Sequence, residues 1–168
     1  MDRDGLRALQ APLKARYRVE PDAALVTLAA SATLDEGMSC SVQTGRAIAQ
    51  AGLHPATGGD GTLLCSGDML LEALVACAGV TLRAVATSLG IHVSSGSVRA
   101  EGDLDFRGTL AVDRETPVGF SSIRLLFELD TTADADQLAK LLELTERYCV
   151  VYQSLTRSPT FTTTISAG

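Results

Sequence analysis

The chain has 168 residues, 46% hydrophobic and 20% charged, enough for one domain with a sizeable core. Its net charge of −6 comes with no basic cluster, which argues against nucleic-acid binding. The four cysteines do not make a disulfide scaffold in a chain this long, and without a CxxC or a Cys/His cluster no metal site is expected.

The N-terminus, Met1-Asp-Arg-Asp-Gly-Leu-Arg, has no apolar signal region, so a soluble, cytoplasmic protein is expected. Residues 3–15 predict a short helix, with Leu6, Leu9 and Leu13 at steps of three and four and Pro12 as a kink. After a turn at Glu20-Pro21-Asp22, residues 25–34 predict a strand. Asp35-Glu-Gly37 turns the chain into a second strand over 39–44, paired as a hairpin. Arg46 follows directly; it is either a functional cation or a solvated arginine at a strand end. Residues 47–65 predict a loop whose glycine-rich run, Thr57 to Gly61, lacks the Gly-Lys-Ser/Thr ending of a phosphate loop. His54 and His92 are expected to be ordinary surface or loop residues.

A long helix is predicted from Asp68 to Leu89, with Ser66 as N-cap, Asp68 in the first turn and Gly90 as the stop. Only Asp68, Glu72 and Arg83 are charged, so the helix is apolar nearly all round and should be buried. Its longest uncharged run, Ala73 to Leu82, is well short of the roughly 18 residues of a membrane span. Cys77 sits at its middle. Cys65, just ahead of it, is either polarised by the helix N-terminus or a plain buried thiol.

Residues 92–106 alternate, Val93, Val98, Ala100, Leu104 and Phe106 against Ser95, Arg99, Glu101, Asp103 and Asp105, which predicts a half-buried strand. Residues 120–129 predict another. Asp130 to Asp136 opens a second long helix whose face carries Leu138, Leu141, Leu142, Thr145, Tyr148, Cys149, Tyr152 and Leu155. Ser158-Pro159 ends it, and residues 160–165 predict a terminal strand. The order of elements is that of an α+β domain. Two buried helices each carry a cysteine: if their faces meet, the sulfurs approach disulfide distance; otherwise both are small core hydrophobes.

Leu70-Leu-Glu-Ala-Leu-Val-Ala-Cys77, with Asp68 nine positions ahead of the cysteine, resembles the central-helix motif of the OsmC/Ohr family, the osmotically inducible and organic-hydroperoxide-resistance proteins. Glu146-Arg-Tyr-Cys-Val-Val151 resembles its second cysteine motif. The match spans roughly residues 24–166, which leaves 1–23 as an N-terminal helical extension and 24–168 as an OsmC-like domain. The chain departs from the family in having Asp68 where Glu is usual, and Cys65-Ser-Gly where many members have Ser/Asn-Pro. The resemblance implies antiparallel sheets around the buried central helix, an intertwined homodimer with sites at the interface, and reduction of organic hydroperoxides. It implies Cys77 as the peroxidatic cysteine, Cys149 as the resolving one, Arg46 holding the thiolate, with Arg16 and Arg18 as rivals, and Asp68 positioning that arginine. An external dithiol would be the reductant, a role lipoyl groups serve in parts of the family; no cofactor is expected. The alternative is a non-catalytic protein of the same fold that binds an apolar small molecule. A cysteine hydrolase would need a base beside the thiol, which neither histidine obviously supplies.

Overall fold

A computed structural model describes residues 3–34, 40–42 and 51–166 of the chain. Helix α1 (Arg3–Val19) opens it, four residues longer than predicted and with Pro12 inside. Strands β1 (Leu25–Leu34), β2 (Cys40–Val42), β5 (Val93–Asp105) and β6 (Phe120–Thr131) form one antiparallel sheet in the order β2-β1-β5-β6. The expected hairpin is present, with Thr33 opposite Ser41. The segment read as a loop holds two very short strands, β3 (Ala51–Gly52) and β4 (Leu64–Cys65), which pair in parallel.

The sheet has two chemically distinct faces, as strand periodicity requires. Val98, Ala100 and Leu104 of β5 turn inward beside Ile123, Leu125, Phe127 and Leu129 of β6. The opposite face carries Glu101 and Asp103, both paired with Arg124 across the strands. Helix α2 (Ser66–Leu89) lies on the inner face and buries Leu71, Leu74, Val75, Ala78, Leu82, Val85 and Ala86. Its start lies two residues earlier than predicted: Cys65, not Ser66, is the N-cap, and no side chain caps the helix there. Gly90 ends it in the left-handed conformation (φ 68°), its N–H meeting the carbonyls of Ala86 and Thr87.

Three expectations fail. First, α2 is not buried all round: Leu70, Ala73 and Val80 are exposed on the face away from the sheet. Second, the long C-terminal helix is two helices, α4 (Ala135–Tyr148) and α5 (Val150–Thr156), the one-turn α3 (Phe106–Thr109) having preceded β6. The break is Cys149, extended at φ −72° and ψ 108°, which ends α4 and caps α5 by accepting the Tyr152 N–H on its sulfur at 3.5 Å. The β-branched pair Val150-Val151 favours helix weakly, so a break there costs little. Third, residues 160–165 form no strand; Phe161 is 82% and Ile165 96% exposed. An extended segment without a neighbouring strand has no partners for its N–H and C=O groups.

Candidate active site

Helix α2 holds Cys77 half-buried on the side away from the deepest core residues, and the break between α4 and α5 brings Cys149 against it. Cys149 is 1% exposed. The two cysteines are neighbours, through a break in the C-terminal helix rather than through a shared helix face.

Neutral groups around Cys77 set the direction of its titration. Burial pulls its thiol up, but the Val151 N–H, the Cys149 thiol, the Thr81 hydroxyl and the Val150 N–H oppose it, and the net direction is below the ordinary thiol range. Hydrogen bonds to the charged form favour that form. Cys149 goes the other way: burial pushes it to about 11, and its bond to the charged Cys77 adds to the rise against the Tyr152 N–H. Cys149 is therefore the proton donor of the pair and Cys77 the acceptor. Cys77 is the better nucleophile, because the thiolate is the reactive species.

Arg46 lies outside the described residues, as does the side chain of Cys40. Arg16 and Arg18 are exposed on α1, where Arg16 pairs with Glu20 at 3.2 Å. Asp68 occupies the first turn of α2 as expected. Nine residues place it about 13 Å along the axis from Cys77 and half a turn around, so it acts on the sulfur only through a bridging group. Its described electrostatic neighbours are His54 and Glu72; burial raises its carboxyl and the nearby His54 opposes the rise.

His54 is not the ordinary loop residue expected. Its ring stacks on Phe106 at 4.9 Å and 15°, and its Nδ1 accepts the Ala56 N–H at 3.0 Å, which leaves the ring proton on Nε2. Tyr17 of α1 donates to the Ala56 carbonyl at 2.7 Å and pins the same turn. The sequence held no signal for this, since His54 and Phe106 are far apart in the chain. Thr81 was legible: four residues past Cys77 on a helix, it shares the sulfur's face. The Val150 and Val151 N–H groups were not, because a continuous helix would have spent them internally.

An apolar cavity of about 320 Å³ opens between β6 and α4, lined by Leu82, Leu125, Phe127, Leu129, Leu138 and Leu142 among others. Cys77 does not line it.

No curated protein matches the chain. Among solved structures, an OsmC-like hydroperoxide resistance protein from Jannaschia sp. CCS1 aligns with a TM-score of 0.63 at 15% identity, covering 86% of this chain and 95% of that one. An OsmC-like protein from Mycoplasma pneumoniae aligns with a TM-score of 0.56, also at 15% identity, covering 80% and 86%. These likenesses establish the fold. The family described as OsmC-like protein matches residues 59–164, most of the chain and both Cys77 and Cys149. The chain belongs to the OsmC-like protein family.

Proposed function

We propose that the protein is a thiol-dependent peroxidase that reduces organic hydroperoxides. The observation that carries this reading is the pair of cysteines inside the matched OsmC-like region, Cys77 half-buried on α2 and Cys149 buried at the α4–α5 break that packs on it. The Cys77 thiolate attacks the terminal oxygen of the hydroperoxide. The O–O bond breaks, the alkoxide leaves and takes a proton to become the alcohol, and Cys77 becomes a sulfenic acid. The Cys149 thiol then displaces water from that sulfenic acid and forms the Cys77–Cys149 disulfide, ahead of irreversible oxidation. An external dithiol restores both thiols by exchange. In this reading Arg46 adds a cation to the site and Asp68 orients it. The protein works in the cytoplasm as a homodimer, and the exposed apolar face of α2 around Cys77 supports the dimer.

The hydroperoxide resistance protein among the structural neighbours supports the substrate class. A second reading, a binding protein for an apolar molecule with inert cysteines, is favoured only by the cavity between β6 and α4. One equivalent of cumene hydroperoxide on the reduced protein, followed by non-reducing peptide mapping, separates the two. A Cys77–Cys149 disulfide formed within seconds, and absent in Cys77→Ser, is the expected result. Thiols that stay reduced would sink the peroxidase and leave the binding protein.

A further inference from the structure

The antiparallel sheet ends on one side at β6, and no described strand pairs with the outer edge of that strand. Along its twelve residues, alternate N–H and C=O groups are left for an added strand. The opposite edge, β2, is only three residues long. Beside the β6 edge runs an apolar groove in two parts. One is the cavity of about 320 Å³ against α4. The other, of about 460 Å³, lies against α5 and is lined by Leu74, Phe120, Ile123, Tyr152 and Leu155 among others. Leu125 lines both, so the groove follows β6 from Phe120 to Thr131.

One described segment has the pattern that such an edge takes. Residues 160–165, Thr-Phe-Thr-Thr-Thr-Ile, are β-branched or aromatic throughout. Strand alternation puts Phe161 and Ile165 on one face, about 13 Å apart, and Thr160, Thr162 and Thr164 on the other. Yet Phe161 is 82% and Ile165 96% exposed, and the segment pairs with no described strand. The tail leaves α5 beside its own groove, which Leu155 and Thr156 line, and does not turn back into it. Each chain thus carries an open edge and a strand without a sheet.

We propose that residues 160–165 of a second copy of this chain add to the β6 edge, with Phe161 and Ile165 filling the groove and the three threonines continuing the polar outer face. This rests on the homodimer reading and gives it a second contact besides the α2 face. Two-fold symmetry makes the exchange reciprocal. Each copy gives one tail and receives one, which closes the pair and leaves neither β6 edge to recruit further copies.

The test puts the photoreactive p-benzoylphenylalanine in place of Phe161 in the full, reduced chain. Irradiated protein is resolved on a denaturing gel and the links are mapped by peptide mass spectrometry. Linked pairs of chains, joined from position 161 to residues 120–131 or to α4 and α5, are the expected result. Links within a single chain would overturn the proposal, because the tail would then close on its own edge. A protein that sediments as a dimer but gives no link to β6, α4 or α5 would overturn this proposal alone, whereas a monomer would overturn the homodimer reading with it. The double variant Phe161→Asp, Ile165→Asp changes only side chains exposed in the single chain, so its fold should hold while its dimer dissociates at least tenfold more readily in sedimentation velocity. An unchanged dissociation constant would also overturn the proposal.

Discussion

At the scale of single residues, Cys77 is half-buried and Cys149 almost wholly buried, and the two titrate in opposite directions. The difference lies in who donates to whom. The Val151 and Val150 N–H groups, the Cys149 thiol and the Thr81 hydroxyl pull Cys77 down, whereas the Tyr152 and Val151 N–H groups pull Cys149 down less than burial and Cys77 push it up. Two substitutions separate donation from resolution. Cys149→Ser keeps a donor beside Cys77, so Cys77 should stay reactive toward alkylation, while excess hydroperoxide carries it past sulfenic to sulfinic acid, read by intact mass. Cys149→Ala removes the donor too, and alkylation should slow roughly tenfold. The pair also has a signature in stability. The folded pKa of Cys149 is raised from 9.0 to about 11, so its contribution is complete below pH 9 and is lost as the pH climbs toward 11. Cys77, shifted down, works in the opposite sense: its contribution is complete above the ordinary thiol value and is lost as the pH falls through its lowered one. Tyr17 and Tyr152 are raised by burial and add to the alkaline loss. Chemical denaturation of the reduced protein between pH 9 and 11 should therefore show a fall in stability that Cys149→Ala lessens without abolishing.

At the scale of elements, the ends of α2 show how local signals translate into energy. Gly90 holds φ 68°, and a Cβ added there meets nothing within 4 Å. Gly90→Ala should cost about 1 kcal/mol through backbone conformation alone, which in a chain of this size lowers the melting temperature by about 2–4 °C. A thermal melt checks it, and an unchanged midpoint would mean that the cap contributes nothing. Such features were legible in the sequence because they are local. The Gly90 stop, the alternation of β5 and β6 and the capping box of Asp134 with Gln137 each involve residues a few positions apart. The break at Cys149 was not, because the apolar steps from Leu138 to Leu155 run through it undisturbed. Only the tertiary contact with Cys77 and the sulfur's capping of Tyr152 distinguish a kink from a continuous helix. The tail over 160–165 fails for the reverse reason: its residues favour a strand, but β propensity needs a neighbouring strand to act on. Of the candidate site, Cys77 and Cys149 were legible from motif. His54 was not, since its stacking on Phe106 joins residues 52 positions apart.

At the scale of the whole molecule, the face of α2 turned from the sheet remains to be covered. Leu70, Ala73, Cys77, Val80, Ala84 and Thr87 follow one another at steps of three and four, the spacing of a helix–helix seam. Leu70 is 38% and Val80 41% exposed, while the small side chains between them would let a second backbone come close. A second copy of the same helix is the occupant that fits a homodimer built on this face, and it would complete the walls of the Cys77 site. Association and activity should then fail together. Val80→Glu, one turn from Cys77 on this seam, should convert dimer to monomer in sedimentation velocity and cut hydroperoxide turnover by about tenfold or more, since a charge buried without a partner opposes the interface by several kcal/mol. Leu126→Glu provides the control. Leu126 is 47% exposed on the polar face of β6, opposite the core, so the same charge there should change neither mass nor turnover. A Val80→Glu protein that stays dimeric would place the interface elsewhere. One that is monomeric and fully active would show that each Cys77 site is complete within its own chain, and the dimer would then serve stability rather than chemistry.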